Sequence, residues 1–455
     1  MLRELKASNF KSWETLPLTE LAPITGFFGP NSSGKTSILQ LLLLMKQTVE
    51  SSDRAQVLNL GDERSLASLG SFRDVLFRHE STRRLELSFK WGGDEPLRVV
   101  SPEHEDVVLF EGETLGFEVA IIEDASGSMK VERFSYEIAG RRFTMSAKSG
   151  PSSGYTLHAE TPDSFKFSRA RGRPWDLPPP IKSYGFPDQV KAYFQNAGFL
   201  ADLQLRLEDL FNGTYYLGPL RDFPRRQYTW GGGQPEDVGQ RGERVVDALL
   251  ASRMRKKTIS RGKGRKRISL EECAAMWLHS LGLVADFTVR QVAKGSNLYQ
   301  VWVRTSADAP EVLITDVGFG VSQILPVVVL CYYVPPGSLL ILEQPEIHLH
   351  PSVQAGLADV FIDAVKTRNI QIVFESHSEH LLQRLQLRIA EEQLESKQAA
   401  LFFCNKETEG TSVKPLELDE YGNIINWPSD FFGSPLRDSV AMLEHEAARR
   451  ARASA

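Results

Sequence analysis

Cysteine is scarce in this chain. Cys273, Cys331 and Cys404 are widely spaced and odd in number, so they offer neither a disulfide framework nor zinc-ligand spacing, and a reducing cytoplasm is the expected setting. Long hydrophobic runs are missing as well. The longest, Ile324 to Val334, contains Pro326 and falls short of the ~20 residues that span a bilayer. Met1-Leu2-Arg3-Glu4-Leu5-Lys6 has no apolar signal core, so no membrane association is expected. Nor is there a surplus of basic charge: 53 Lys and Arg stand against 58 Asp and Glu, a net charge of -5. That argues against a uniformly basic nucleic-acid coat while leaving room for a local basic patch. With 455 residues the chain exceeds the ~250–300 at which single cores stop growing, and two or three lobes are expected.

What is present begins with Gly29-Pro30-Asn31-Ser32-Ser33-Gly34-Lys35-Thr36, a full match to G-x-x-x-x-G-K-[ST]. An apolar segment, Ile24 to Phe28, precedes it and strong helix formers from Ser37 to Gln47 follow. Strand, loop, helix is the context in which this pattern binds phosphate. Gly29 and Gly34 let the backbone curl so that N–H groups converge on phosphate oxygens, and the helix start at Ser37 adds partial positive charge. Lys35 would reach the β- and γ-phosphates of ATP, and Thr36 would offer its hydroxyl to a bridging Mg²⁺. A Gly/Ser-rich turn opening an ordinary helix is the blander reading, and four fixed residue types in this setting argue against it.

Leu2 to Phe10 reads as a first strand, followed by a polar turn at Lys11-Ser12-Trp13. From Leu85 to Glu160 the pattern has period two, which predicts an antiparallel β lobe. The Pro-rich passage Arg173 to Pro187 marks a boundary. Helical spacing returns within Gln189 to Phe211, where Leu200, Leu203, Leu207 and Leu210 share a face. Tyr215 to Arg226 interleaves aromatics with arginines. It could form a base-stacking, phosphate-contacting surface, but an irregular connector is the favoured reading. Arg253 to Arg267 is so dense in Lys and Arg that a mobile loop between two helices is predicted, either merely solvated or in contact with a polyanion. A helix is predicted at Leu270 to Leu281, with strands at Phe287 to Val292 and Leu298 to Val303. The last third alternates strands (Leu339 to Glu343, Gln371 to Phe374, Ala400 to Cys404) with helices from Pro351 and Glu379, which predicts a parallel sheet.

Two of those strands end in chemistry. Leu339 to Leu342 runs into Glu343-Gln344-Pro345-Glu346, and Gln371 to Phe374 into Glu375-Ser376-His377-Ser378. Ligands gather at the carboxyl ends of such strands, so Glu343 is expected to hold Mg²⁺ or its water and His377 to sense the γ-phosphate if the two strands are neighbours. His348, His350, His377 and His380 also crowd these ends, and a transition-metal site is the alternative use of them. Asp316-Val317-Gly318-Phe319-Gly320-Val321-Ser322-Gln323 is a Gly-flanked turn entering the apolar segment, where Pro326 is tolerable if it lies in the first helical turn, with Ser322 at another anion-binding helix start.

In this order the motifs resemble the ABC-class ATPase heads, in particular their soluble RecF, SMC and OLD-like branch. The resemblance covers the first fifty residues and the last third up to Cys404. It implies an α/β fold: a P-loop ABC-type head with a mixed or parallel sheet, an antiparallel β lobe and a helical insertion. It also implies a homodimer or higher homo-oligomer in which Gly320, Ser322 and Gln323 of one head act on the ATP of the other. Two departures stand out. Glu343 takes the place of the usual Asp, and Gln344 that of the catalytic Glu. Glutamine orients water but accepts no proton at neutral pH, so slow turnover is expected, with Glu346 or Glu375 as substitute base.

The expected organisation is an ATPase lobe with the β subdomain at 1–170, a linker and helical insertion at 171–297, a second ATPase lobe at 298–415, and a tail at 416–455. An ATP-binding and hydrolysing cytoplasmic head is expected, coupled to DNA or to a separate effector such as a nuclease, in genome maintenance or anti-phage defence. An ATP-gated scaffold with little hydrolysis is the rival reading. The ATPase subunit of a membrane transporter is a third, which the basic run and the large middle region fit poorly.

Overall fold

The computed structural model describes residues 1–455 apart from 101–106, 149–153, 163–164, 173–174, 263, 409, 429–441, 444 and 447–455. Most of the tail beyond residue 428 lies outside the described residues, as do Lys263 of the basic run and Arg173 at the start of the Pro-rich boundary. In chain order the strands are β1 (Leu2–Phe10), β2 (Trp13–Glu20), β3 (Ile24–Phe28), β4 (Leu85–Val100), β5 (Val108–Glu123), β6 (Met129–Ile138), β7 (Arg141–Ala147), β8 (Tyr155–Glu160), β9 (Thr214–Leu217) and β10 (Tyr228–Thr229). They continue as β11 (Thr258–Ile259), β12 (Ile268–Ser269), β13 (Asp286–Gln291), β14 (Leu298–Arg304), β15 (Val312–Leu313), β16 (Leu339–Glu343), β17 (Gln371–Ser376), β18 (Ala399–Glu407) and β19 (Gly410–Pro415). The helices are α1 (Lys35–Glu50), α2 (Phe72–Val75), α3 (Gln189–Tyr193), α4 (Leu200–Asn212), α5 (Val245–Met254), α6 (Leu270–Ser280), α7 (Gly320–Tyr333), α8 (Pro351–Arg368) and α9 (Glu379–Ala390).

Two large sheets organise these elements. One is antiparallel, in the order β2-β1-β4-β5-β6-β7-β8, so the predicted β lobe extends back to the first strand of the chain. The other has the order β19-β18-β3-β17-β16-β9 and is parallel except at its β19 edge. The fold is therefore the mixed α/β head expected from the sequence. Side chains alternate across the parallel sheet, as a period of two requires. Phe27, Ile341 and Val373 face a core shared with α1, α4 and the antiparallel sheet, whereas Phe28, Leu340, Leu342, Ile372 and Phe374 face a second core under α5 to α9.

Local signals explain most boundaries. Ser269 and Glu272 form a capping box at the start of α6, and α8 opens with a His350 cap and Pro351 and closes at Asn369 in the left-handed region with Lys366 and Arg368 in its last turn. The helical stretch after Gln189 is broken between Tyr193 and Leu200, and Leu200, Leu203 and Leu207 are its buried stripe. The basic run is not a plain loop. β11 within it pairs with β12 just after it, with Ile259 buried, Arg267 donating to the Thr258 carbonyl, and Arg253 held by Glu271 and the Val289 carbonyl. Nor does Pro326 lie in a first turn, because α7 begins at Gly320 and Pro326 sits in its second turn. Its ring packs where a Cβ on Gly242 (φ +76°) would fall 2.5 Å from Cγ, so the lost backbone hydrogen bond is offset by tertiary packing.

Candidate nucleotide site

Strand β3 delivers the loop at 29–36 to the carboxyl end of the parallel sheet, between β17 and β18. Gly29 has φ +138°, and a Cβ there would fall 2.0 Å from the Cys404 carbonyl oxygen; Gly34 has φ +81°, with Ser12 Oγ at 2.8 Å from such an atom. Only glycine fits either position. The turn before β2 secures the far side of the loop, since Trp13 donates to the Gly34 carbonyl at 3.1 Å and Thr411 to the Ser12 carbonyl at 2.6 Å. Helix α1 starts at Lys35 with no acidic side chain in its first turn, leaving its positive end open to an anion. The buried Lys35 ammonium curls over the loop, donating to the Gly29 and Pro30 carbonyls at 2.9 and 2.7 Å, and burial holds its pKa below the ordinary value. A glycine-lined cradle, an open helix start and one buried ammonium fit a nucleotide phosphate.

The neighbouring strand ends bring three glutamates together, two of which, Glu375 and Glu346, act on this lysine. β16 and β17 pair in register, Glu343 opposite Glu375. The carboxylate that meets Thr36 is Glu375, which accepts the hydroxyl hydrogen bond at 2.7 Å. Burial, and then the Glu343 charge, push its pKa up to about 7. Glu343 turns toward β9 and accepts the Tyr216 hydroxyl at 2.6 Å; burial raises its pKa too. Glu346 is buried, with Oε1 accepting from Ser376 Oγ and the His377 N–H, both at 2.7 Å, while Oε2 has no partner. Burial again raises its pKa. Among the described residues no group of three or more His, Cys, Asp or Glu forms a protein-only metal cage. Mg²⁺ does not need one, because it is ordinarily held by one or two carboxylates plus phosphate oxygens and water, and carboxylates with raised pKa values beside a threonine hydroxyl suit a dication.

The remaining predicted residues divide. His377 lies half-buried at the loop, its pKa lowered by burial and then by the Lys35 charge, with the Gly29 carbonyl as hydrogen-bond partner. Gln344 stands between the two strand ends with φ +42°, donating its N–H to the Glu375 carbonyl. The other histidines disperse: His350 caps α8, His348 packs against Phe319 at 5.9 Å, and His380 is exposed on α9. Gly320, Ser322 and Gln323 form the first turn of α7, where Ser322 Oγ donates to the Phe319 carbonyl at 2.7 Å and the buried Gln323 Nε2 has no partner. Among the described residues none of these three is hydrogen-bonded to the loop at 29–37.

Sequence reasoning missed the edge strand β9. Tyr216 at its end binds Glu343, and Arg221, four residues beyond the strand, is buried beside the same carboxylate. The signal was there, because Tyr215 to Leu217 is a short apolar strand followed by Gly218-Pro219-Leu220-Arg221, and the strand-end rule that singled out Glu343 applies to it equally.

Fold and loop together define the class: a mixed α/β chain whose phosphate-binding loop sits at the carboxyl end of a parallel sheet, the arrangement of a nucleotide-binding ATPase domain. Residues 192–383 match the family described as "AAA domain, putative AbiEii toxin, Type IV TA system", a span that starts after the phosphate loop and takes in α7, both acidic strand ends and His377. Residues 394–439 match a family described as "Protein of unknown function (DUF3696)". No curated protein matches the chain. Similar solved structures include an SMC head bound to the C-winged helix domain of ScpA, 11% identical, covering 92% of this chain and 98% of that one, with a TM-score of 0.45. The SMC head domain from Thermotoga maritima is 10% identical, covers 91% and 99%, and has a TM-score of 0.41. The Smc head domain with an extended coiled coil from Pyrococcus furiosus, bound to the C-terminal domain of ScpA, is 10% identical, covers 98% and 99%, and has a TM-score of 0.44. No helix among the described residues is long and apolar enough to cross a membrane.

Proposed function

We propose that this head binds Mg²⁺ and ATP at residues 29–37, hydrolyses the nucleotide slowly, and dimerises around two nucleotides in the cytoplasm. The observation that carries the reading is the Thr36–Glu375 hydrogen bond beneath the loop, with Lys35, Glu343 and Glu346 grouped about Glu375. The loop N–H groups and Lys35 bind the phosphates. Thr36, Glu375 and Glu343 would hold Mg²⁺, which when bound neutralises charge developing on the transferred phosphoryl group. His377, largely neutral at physiological pH and so with a single ring N–H, would switch that donor from the Gly29 carbonyl to a terminal phosphate oxygen when nucleotide binds. Gln344 orients the attacking water, and the unpartnered Glu346 Oε2 accepts its proton, a raised carboxyl pKa suiting that task. Gly320, Ser322 and Gln323 act on the nucleotide of the second head, their own loop being out of hydrogen-bond reach.

Closure of the dimer is coupled to DNA or to a separate effector protein such as a nuclease. Anti-phage defence or genome maintenance is the setting, the former supported by the toxin description of the family matched at 192–383. A second reading, an ATP-gated scaffold with little hydrolysis, is favoured by one observation: the residue that follows Glu343 at the strand end is Gln344, which cannot take a proton. Light scattering tests the dimer. Mass should rise from that of one 51.0 kDa chain to about twice that on adding Mg²⁺ and ATP, and Lys35→Ala and Ser322→Arg should each abolish the rise. A mass indifferent to nucleotide would reject the two-head arrangement.

A further inference from the structure

We propose that Arg221 is a phosphate-binding residue of the nucleotide site, contacting the terminal phosphate and making the site prefer a nucleoside triphosphate to a diphosphate. The inference rests on the nucleotide reading above and adds a residue outside the phosphate-loop and strand-end motifs.

Arg221 is 5% exposed, yet Nε, Nη1 and Nη2 all lack a hydrogen-bond partner. Burying a guanidinium without partners is among the costlier arrangements a protein can make. Neutralising Glu343 would explain the position if the two paired, but they form no ion pair, and the Glu343 carboxylate accepts the Tyr216 hydroxyl instead. Glu343 and Glu346 act on Arg221 only through their charge, and burial pulls its pKa down to about 10, so it remains a cation at neutral pH.

The loop holding it is fixed at both sides. Gly218 donates its N–H to the Gln240 carbonyl and Asp222 to that of Arg241, at 2.8 and 2.9 Å, and the Asp222 side chain pairs with Arg241 at 3.0 Å. Lys35, after β3, acts on Glu375 and Glu346, while Arg221, after the edge strand β9 on the other side of β17 and β16, acts on Glu343 and Glu346. A phosphate chain seated on the loop directs its outermost group toward the strand ends, where an unpaired planar fork of donors is suited to phosphate oxygens. A diphosphate seated on the same loop stops short of it.

Calorimetric titration of the full chain with a non-hydrolysable ATP analogue and with ADP, both with Mg²⁺, tests the assignment. Arg221→Met should weaken the triphosphate analogue at least tenfold and ADP less than twofold, with Arg221→Lys, which keeps the charge but not the fork, in between. Lys35→Ala should weaken both ligands. Equal weakening of both by the two Arg221 variants, or no change in either, overturns the assignment while leaving the nucleotide site standing; should the Met variant misfold, the Lys variant decides by the same criterion. A wild type that binds neither ligand would overturn the nucleotide reading and this inference with it.

Discussion

Replacing Glu375 by Gln should make the protein more stable at alkaline pH. Glu375 is 1% exposed, and its carboxyl is raised from near 4.5 to about 7 by burial and the Glu343 charge. Between those values the folded chain keeps a proton that the unfolded chain has released, so stability falls as pH rises through the window and levels off above pH 7. That rise in pKa corresponds to ~3 kcal/mol, most of which accrues between pH 5 and pH 8. Gln keeps the shape and an acceptor for Thr36 but cannot ionise. The thermal midpoint of Glu375→Gln relative to wild type should therefore shift upward by roughly 3–5 °C on going from pH 5 to pH 8, taking about 1–2 °C per kcal/mol for a chain of this size. Differential scanning fluorimetry without nucleotide measures it. A midpoint difference that is the same at both pH values would refute the buried-charge reasoning. With Mg²⁺ and ATP present the sign should reverse, because the wild-type carboxylate then has a cation to face.

Further expectations are independent of that one. Gly29→Ala should abolish nucleotide binding and destabilise the chain by ~1–3 kcal/mol from the backbone strain at φ +138°, to which the clash of the new methyl with the Cys404 carbonyl oxygen at 2.0 Å adds; calorimetric titration and urea unfolding report the two effects. Leu42→Ala, at a fully buried position of α1, should cost ~2–5 kcal/mol in urea unfolding. Charge reversal of Lys256, Lys257, Arg265 and Lys266, all exposed around the β11–β12 hairpin, should weaken DNA binding and flatten its salt dependence by ~0.9 in log–log slope for each phosphate that is no longer neutralised. Unchanged binding would remove this hairpin as a polyanion-binding element.

The phosphate loop was legible because everything it needs is local: eight residues, the strand before and the helix after. The strand-end acids and histidine were legible because period and strand length locate strand ends without knowledge of neighbours. What could not be read was strand order. Glu375 reaches Thr36 because β17 lies between β3 and β16, a non-local fact, and the same order turns Glu343 toward Tyr216. Arg221 escaped because Tyr215 to Arg226 looked like an irregular connector, its short strand hidden among aromatics. The hairpin in the basic run was obscured by charge, which sets solvation but does not forbid a two-residue ladder. Pro326 entered the second turn of α7 because the core packed around it outweighs one lost hydrogen bond.

The central claim, that this loop and these strand ends turn over ATP, is tested most directly by single-turnover hydrolysis with the purified chain in excess over radiolabelled ATP and Mg²⁺. The account predicts slow phosphate release by the wild type, none by Lys35→Ala, loss of ~10²-fold or more in Glu346→Gln with ATP still bound, and faster release in Gln344→Glu. Release unaffected by both Lys35→Ala and Glu346→Gln, or ATP binding with no release from any variant including Gln344→Glu, would contradict it.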